Sequence, residues 1–180
     1  MTPSPKRART DDGAVIIEFA LTFPILVMLL LGIITGGFAY NQKLAITNGV
    51  REGSRFGATL PVAQSSCSSG SGTLDCWLKQ VADVTQTSSE GELASTVTAL
   101  NICVAYVYPS GAAVNDMTKA LTRTSSGDSI AASTTCFSDG RPNSERRVQV
   151  MASRQGKIEY LVATATPTLS SQSVTKFEAA

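Results

Sequence analysis

One acidic residue stands inside an otherwise apolar run. From Ala14 to Tyr40 the chain reads AVIIEFALTFPILVMLLLGIITGGFAY, and Glu18 is its only charged side chain. A carboxylate at the centre of a membrane-spanning helix costs roughly 2.5–3.5 kcal/mol on insertion scales, so it is rarely kept without a partner. Glu18 is the fifth residue counting from Ala14. It therefore sits about one helical turn (~3.6 residues) from the amine that a cut between Gly13 and Ala14 would create. An ammonium and a carboxylate so spaced can pair within one chain or between neighbours. The pair neutralises two charges that are each costly in lipid, and between neighbours it also sets axial register. The alternative is a Glu18 that lies near the membrane surface and snorkels.

Other chemistry is sparse. The 180 residues contain no histidine, which excludes His-based triads, His metal ligands and His proton switches. There is no nucleophile elbow, P-loop or paired-carboxylate motif, so no catalytic residue is assigned. Asp75, Asp83, Glu90 and Glu92 read as solvated charges. A net charge of +1 with no basic block among aromatics leaves no nucleic-acid footprint. No Asn-x-Ser/Thr glycosylation sequon occurs.

The four cysteines, Cys67, Cys76, Cys103 and Cys136, all follow the apolar run. An even number beyond an export segment reads as two disulfides. Three connectivities are open; Cys67–Cys76 with Cys103–Cys136 is favoured, because the first closes a short Ser/Gly loop. With no CxxC pair and no histidine, no metal site or cofactor is expected.

These residues need a scaffold. Phe19 to Phe38 gives twenty residues without a charge, about 30 Å of helix, one bilayer core. A removable secretory signal has a shorter apolar core of about 7–15 residues. Pro24 removes one helical hydrogen bond and predicts a kink or local unwinding. Gly32 and Gly36 form a GxxxG through which helices can approach closely. Beyond the span, Gly49, Gly53 and Gly57 recur every four residues, with Ala45 one step earlier. Each interior glycine costs about 1 kcal/mol relative to alanine, a cost that makes sense if another surface packs on the stripe. A helix from Ala14 to Gly57 would be about 66 Å long, with about half beyond the bilayer. Lys6, Arg7 and Arg9 before the span nearly balance Lys43, Arg51 and Arg55 after it, so charge leaves the orientation open. The cysteines place residues 59–180 on an oxidising side and residues 1–13 in the cytoplasm.

The segment GAVIIEFALTFPILVMLLLGIITGGFAYNQKLAITNGVREGSRFGA resembles the TadE-like family, minor pilin-like proteins of the tight-adherence (Flp-type IV) pilus system. Glu18-Phe19-Ala20 and Pro24 carry the first half of the likeness. Asn48-Gly49-Val50-Arg51-Glu52-Gly53-Ser54-Arg55 carries the second. Gly49, where alanine is usual, and Asp11-Asp12 before the glycine depart from the family pattern. The resemblance implies that a prepilin peptidase removes the leader between Gly13 and Ala14, and that Glu18 serves processing or assembly. It implies a minor pilin or pseudopilin of the inner membrane and surface pilus, contributing to pilus assembly and cell adhesion. Other pilin-like subunits and assembly-platform proteins would be its partners. Losing Lys6, Arg7, Arg9, Asp11 and Asp12 would take the formal charge from +1 to zero. Thr168-Leu169-Ser170 and Lys176-Phe177-Glu178 fit the family's C-terminal strands loosely.

Residues 59–180 suffice for a separate extracytoplasmic domain. Leu74 to Thr87 reads as a short amphipathic helix, with Leu74, Leu78, Val81 and Val84 at helical spacing and Trp77 as core anchor. Thr96 to Tyr108 reads as a strand. Ser110 to Arg147 reads as a long polar excursion tied back by Cys136. Arg147 to Ser153 and Ile158 to Thr166 read as a hairpin about Gln155-Gly156, and Ser173 to Phe177 as a last short strand. The expected class is α+β: a long transmembrane and projecting helix, then a small disulfide-stabilised domain with a mainly antiparallel sheet, pilin-like in plan.

Overall fold

The computed structural model describes residues 12–65, 67, 72–108, 118–142, 145–156, 158–159 and 164–177. The leader residues 1–11, most of the Ser/Gly loop before residue 72, and residues 109–117 lie outside the described residues. So do 143–144, 157, 160–163 and 178–180.

The first helix, α1 (Asp12–Thr59), has 48 residues and runs unbroken through Pro24. The expected unwinding at Pro24 is absent. A single missing N–H leaves the neighbouring turns intact, and nothing else packs on that stretch to exploit the defect. The helix stops before Pro61, which pushes Leu60 towards extended backbone. Trp77 then donates its indole N–H to the Leu60 carbonyl at 3.1 Å. The fully buried tryptophan thus satisfies a helix-end acceptor as well as filling core.

The second helix, α2 (Thr73–Thr87), buries Cys76, Trp77, Leu78, Val81, Ala82 and Thr85. Of the predicted apolar face, Leu78 and Val81 are fully buried with Trp77, while Leu74 and Val84 are only half-buried at its margin. Both helices lie on one face of a five-stranded antiparallel sheet. Its strands are β1 (Asn101–Val107), β2 (Lys119–Thr124), β3 (Gly127–Ala132), β4 (Arg147–Gln155) and β7 (Thr168–Lys176), in spatial order β3-β2-β1-β4-β7. A separate two-stranded ribbon pairs β5 (Ile158–Glu159) with β6 (Thr164–Ala165). The architecture is α+β, as expected.

Alternation divides β1 between two cores. Ile102, Val104 and Tyr106 join Ile46, Val50, Trp77, Val81, Val148 and Val150 beneath the helices. Cys103, Ala105 and Val107 form a smaller cluster with Ala120 on the far face, where Cys136 and Met151 pack. Both expected disulfides are present, Cys67–Cys76 and Cys103–Cys136. The second ties the residues after β3 onto the far face of the sheet. Replacing Cys103 and Cys136 together by serine is expected to cost about 2–5 kcal/mol in urea unfolding under oxidising conditions. The 33-residue separation, against 9 for Cys67–Cys76, makes this loss the larger by about 1 kcal/mol in the chain-entropy picture. Equal losses for the two pairs would discount that account.

Four strand expectations are corrected. The predicted hairpin at Gln155-Gly156 does not form. Instead, β4 pairs with β1 on one side and β7 on the other. β4 buries Val148, Val150 and Ala152 on one face and Arg147 and Gln149 on the other, so it is an interior strand that needs two long partners. The Gly156 N–H donates to Pro167 O at 2.8 Å, so the residues between them are an excursion and β7 returns in register. The last strand accordingly begins at Thr168, not Ser173. The excursion expected from Ser110 to Arg147 contains the β2–β3 hairpin, turned at Ser125-Ser126. Its outward positions are polar, which disguised it as loop. The first strand is also shorter than expected. It starts at Asn101, after a turn in which Ala99 has φ 53°.

Candidate functional site

The chain's distinctive chemistry lies along α1. Among the described residues its first part meets no other protein surface: Phe19 is 63% exposed, Ile33 76% and Phe38 67%. By length and composition α1 can cross a membrane. Hydroxyls inside it are satisfied locally. Thr22 donates to Glu18 O at 3.0 Å, and Thr35 to Leu31 O at 2.8 Å. This is the back-bonding that makes such side chains tolerable in lipid.

Glu18 is exposed on this stretch and makes no ion pair among the described residues. The Gly13–Ala14 bond lies in the first turn of α1, and among the described residues a Cβ added at Gly13 would meet nothing within 4 Å. Gly13, Ala14 and Glu18 therefore share one exposed helical end. Pro24 follows, also exposed.

The two glycine groups differ. A Cβ added at Gly32 or Gly36 would meet nothing within 4 Å. The later stripe is filled. A Cβ at Gly49 would lie 2.6 Å from Thr85 O, and one at Gly53 only 1.9 Å from Thr85 Oγ1. At Gly57 it would lie 3.1 Å from Trp77, Val81 and Val148. The stripe is the seat on which α2 docks, with β4 reaching it at Gly57. Ser54, on the same face, bonds Ser173 at 2.9 Å and accepts from Thr175 at 3.0 Å, joining β7 to α1. The distal half of α1 is thus integral to the domain, while the proximal half stands free.

The carboxylates read as solvated are mostly paired. Asp75 binds Lys119 at 2.7 Å, Asp83 binds Arg123 at 2.5 Å, and Glu92 binds Arg154. They clamp α2 and the turn after it to the sheet. Arg123 also takes Asp128 bidentately at 2.8 and 3.0 Å; that hydrogen bond chiefly raises its pKa against the opposing effect of burial. Asp75, Asp83 and Glu92 lie 44, 40 and 62 residues from their partners, so no local pattern announced these pairs.

Sequence reasoning missed a buried polar knot on the far face. Arg147 donates to Asp139 at 2.7 and 3.0 Å, and to the Pro142 carbonyl at 2.9 Å. Gln149 donates to Asp139 at 3.0 Å and to Phe137 O at 3.1 Å, and accepts from Cys136 N–H at 3.2 Å. The Arg147 and Asp139 side chains are 4% and 7% exposed. Burial pushes the Asp139 carboxyl up, but donors from Gln149, the Arg141 N–H and Arg147 more than offset this and hold it below its ordinary range. The knot binds the 136–142 segment to β4 beside the Cys103–Cys136 disulfide. With every Asp139 and Gln149 contact inward, it is structural.

A family model described as TadE-like protein matches residues 13–55. The match starts at the free helical end that carries Gly13, Ala14 and Glu18, and runs through most of the packed stripe. No curated protein and no solved structure matches the chain.

Proposed function

We propose that this chain is a minor pilin or pseudopilin of a tight-adherence (Flp-type) pilus. It is held in the inner membrane by the first half of α1, with its disulfide-bonded domain on the extracytoplasmic side. A prepilin peptidase cuts it between Gly13 and Ala14. The processed subunit meets other pilin-like subunits and the assembly platform, and contributes to pilus assembly and surface adhesion. The TadE-like match over residues 13–55 carries this reading. A Tad pilus-related role and a membrane-anchoring helix are supported by that match and by the exposed apolar surface of α1.

Glu18 has a specific role in this reading. After cleavage, the Ala14 ammonium is the charge that a carboxylate one turn away can neutralise. Glu18→Gln leaves that ammonium without its counter-charge at the membrane boundary. Processed E18Q subunit is therefore expected to accumulate in membranes while its amount in sheared surface fibres falls severalfold or more. Normal fibre content in E18Q would remove Glu18 from assembly.

Intact mass and N-terminal sequence, measured on protein from membranes and from sheared fibres, test the whole reading. An N-terminus at Ala14 is expected, with the protein present in fibres. A retained leader would point instead to a single-pass membrane-anchored binding domain outside the pilus. A start beyond Tyr40 would make the apolar run a removed export signal.

A further inference from the structure

Where α1 leaves its apolar stretch, a cavity of about 400 Å³ is lined by Lys43, Met151, Ser170, Ser171 and Gln172. Four of these side chains are hydrogen-bond donors. Among the described residues none of the four has a side-chain partner. Lys119, Arg123, Arg147 and Arg154 are each paired to a carboxylate, whereas Lys43, like Arg51 and Arg55 farther along α1, makes no ion pair among the described residues. Lys43 is the first charged residue after Glu18. Counting from Phe38, it lies five residues on, about 7.5 Å along the helix axis. The headgroup layer extends about 5–7 Å beyond each side of the hydrocarbon core. Phe38 and Tyr40, 67% and 66% exposed, mark the same boundary as interfacial aromatics.

Resting on the membrane-spanning reading of α1, we infer that this cavity is a binding site for the phosphodiester headgroup of an anionic phospholipid. The lipid comes from the leaflet on the domain's side. The Lys43 ammonium neutralises the phosphate and the Ser171 hydroxyl, on the α1 side of β7 with Ser173 and Thr175, donates to its oxygens, while Ser170, Gln172 and Met151 line the other side of the β7 edge. The tether has a mechanical consequence. β7 is hydrogen-bonded to α1 through Ser173, Thr175 and Ser54, so a lipid held by Lys43 and Ser171 fixes the height of the whole domain above the bilayer.

The test is native mass spectrometry of the full chain released from micelles containing phosphatidylglycerol or phosphatidylcholine, together with vesicle flotation. Wild type is expected to retain one phosphatidylglycerol. Lys43→Gln should lower that occupancy about tenfold or more, as loss of a charge-assisted hydrogen bond does. Lys43→Arg should restore it, and Ser171→Asp, which places a like charge beside the phosphate, should abolish it. Equal retention by wild type and K43Q would overturn the site, as would equal retention of phosphatidylcholine. Displacement of the lipid by millimolar inorganic phosphate would show a soluble phosphate as occupant and likewise overturn it. Flotation separates the two readings. If wild type and K43Q both float while lipid retention is unchanged, the headgroup site alone fails. If wild type does not float, the membrane reading fails and takes the site with it.

Discussion

Replacing Asp139 by alanine is expected to destabilise the domain by roughly 3–5 kcal/mol, the usual cost of removing one partner from a buried ion pair. The Arg147 guanidinium, 4% exposed, would keep its backbone bonds to Pro142 and Glu145 but lose its counter-charge. Gln149 would lose one acceptor and the Arg141 N–H another. Urea unfolding of the oxidised full chain measures the loss, and an unchanged midpoint would refute the knot's importance. The same group sets an acid limit. Its folded-state pKa lies below the unfolded value, so its stabilisation is complete above the ordinary carboxylate pKa of about 3.9 and is lost as pH falls through the folded value. Wild-type stability should therefore decline on acidification in that window. Asp139→Asn, which has no charge to titrate there, should start lower and decline less. Parallel slopes would assign the acid sensitivity elsewhere.

The second large effect is steric. Gly53→Val is expected to cost about 3 kcal/mol or more, at the upper end of overpacking penalties. Its Cβ would lie 1.9 Å from Thr85 Oγ1, and Thr85 cannot turn freely because it is fully buried and donates to Val81 O at 2.8 Å. Gly53→Ala should also destabilise, despite the gain of about 1 kcal/mol in helix propensity. Removing the hydroxyl as well, in Gly53→Ala with Thr85→Ala, leaves a nearest remaining contact of 3.1 Å. The double variant should therefore recover part of the loss, with a coupling energy of about 1 kcal/mol or more. Strict additivity would show that the two residues do not meet as described. Gly32→Ala and Gly36→Ala serve as controls. Nothing lies within 4 Å of either position, so neither should alter unfolding of the domain.

By themselves the residues determined the parts whose hydrogen bonds are local. A run from Ala14 to Tyr40 with one charge has to form a helix if it enters lipid, because no other partner exists there for its backbone. Helix α2 was visible in Leu78 and Val81, and the disulfide partners in the short Ser/Gly loop and the even cysteine count. The glycine stripe announced that something must pack on α1. Which surface fills it, Thr85 and Ser89 of the second helix and its turn, emerged only with the tertiary structure. The same holds for strand pairing. The ladder bonds of β4 are made to residues on other strands, so the stretch VQVMAS is equally suited to a hairpin with its neighbour or to a place between β1 and β7. Burial of both its faces decided for the second. β2, β3 and β7 were harder to see, because strands that show one face to water carry Ser, Thr and charged residues at half their positions. Last to be found was the Arg147–Asp139–Gln149 knot. Its members lie in a loop and on a strand, with no periodicity to link them. Only the fold removes the water between them, and with it the alternative partners each had in the open chain.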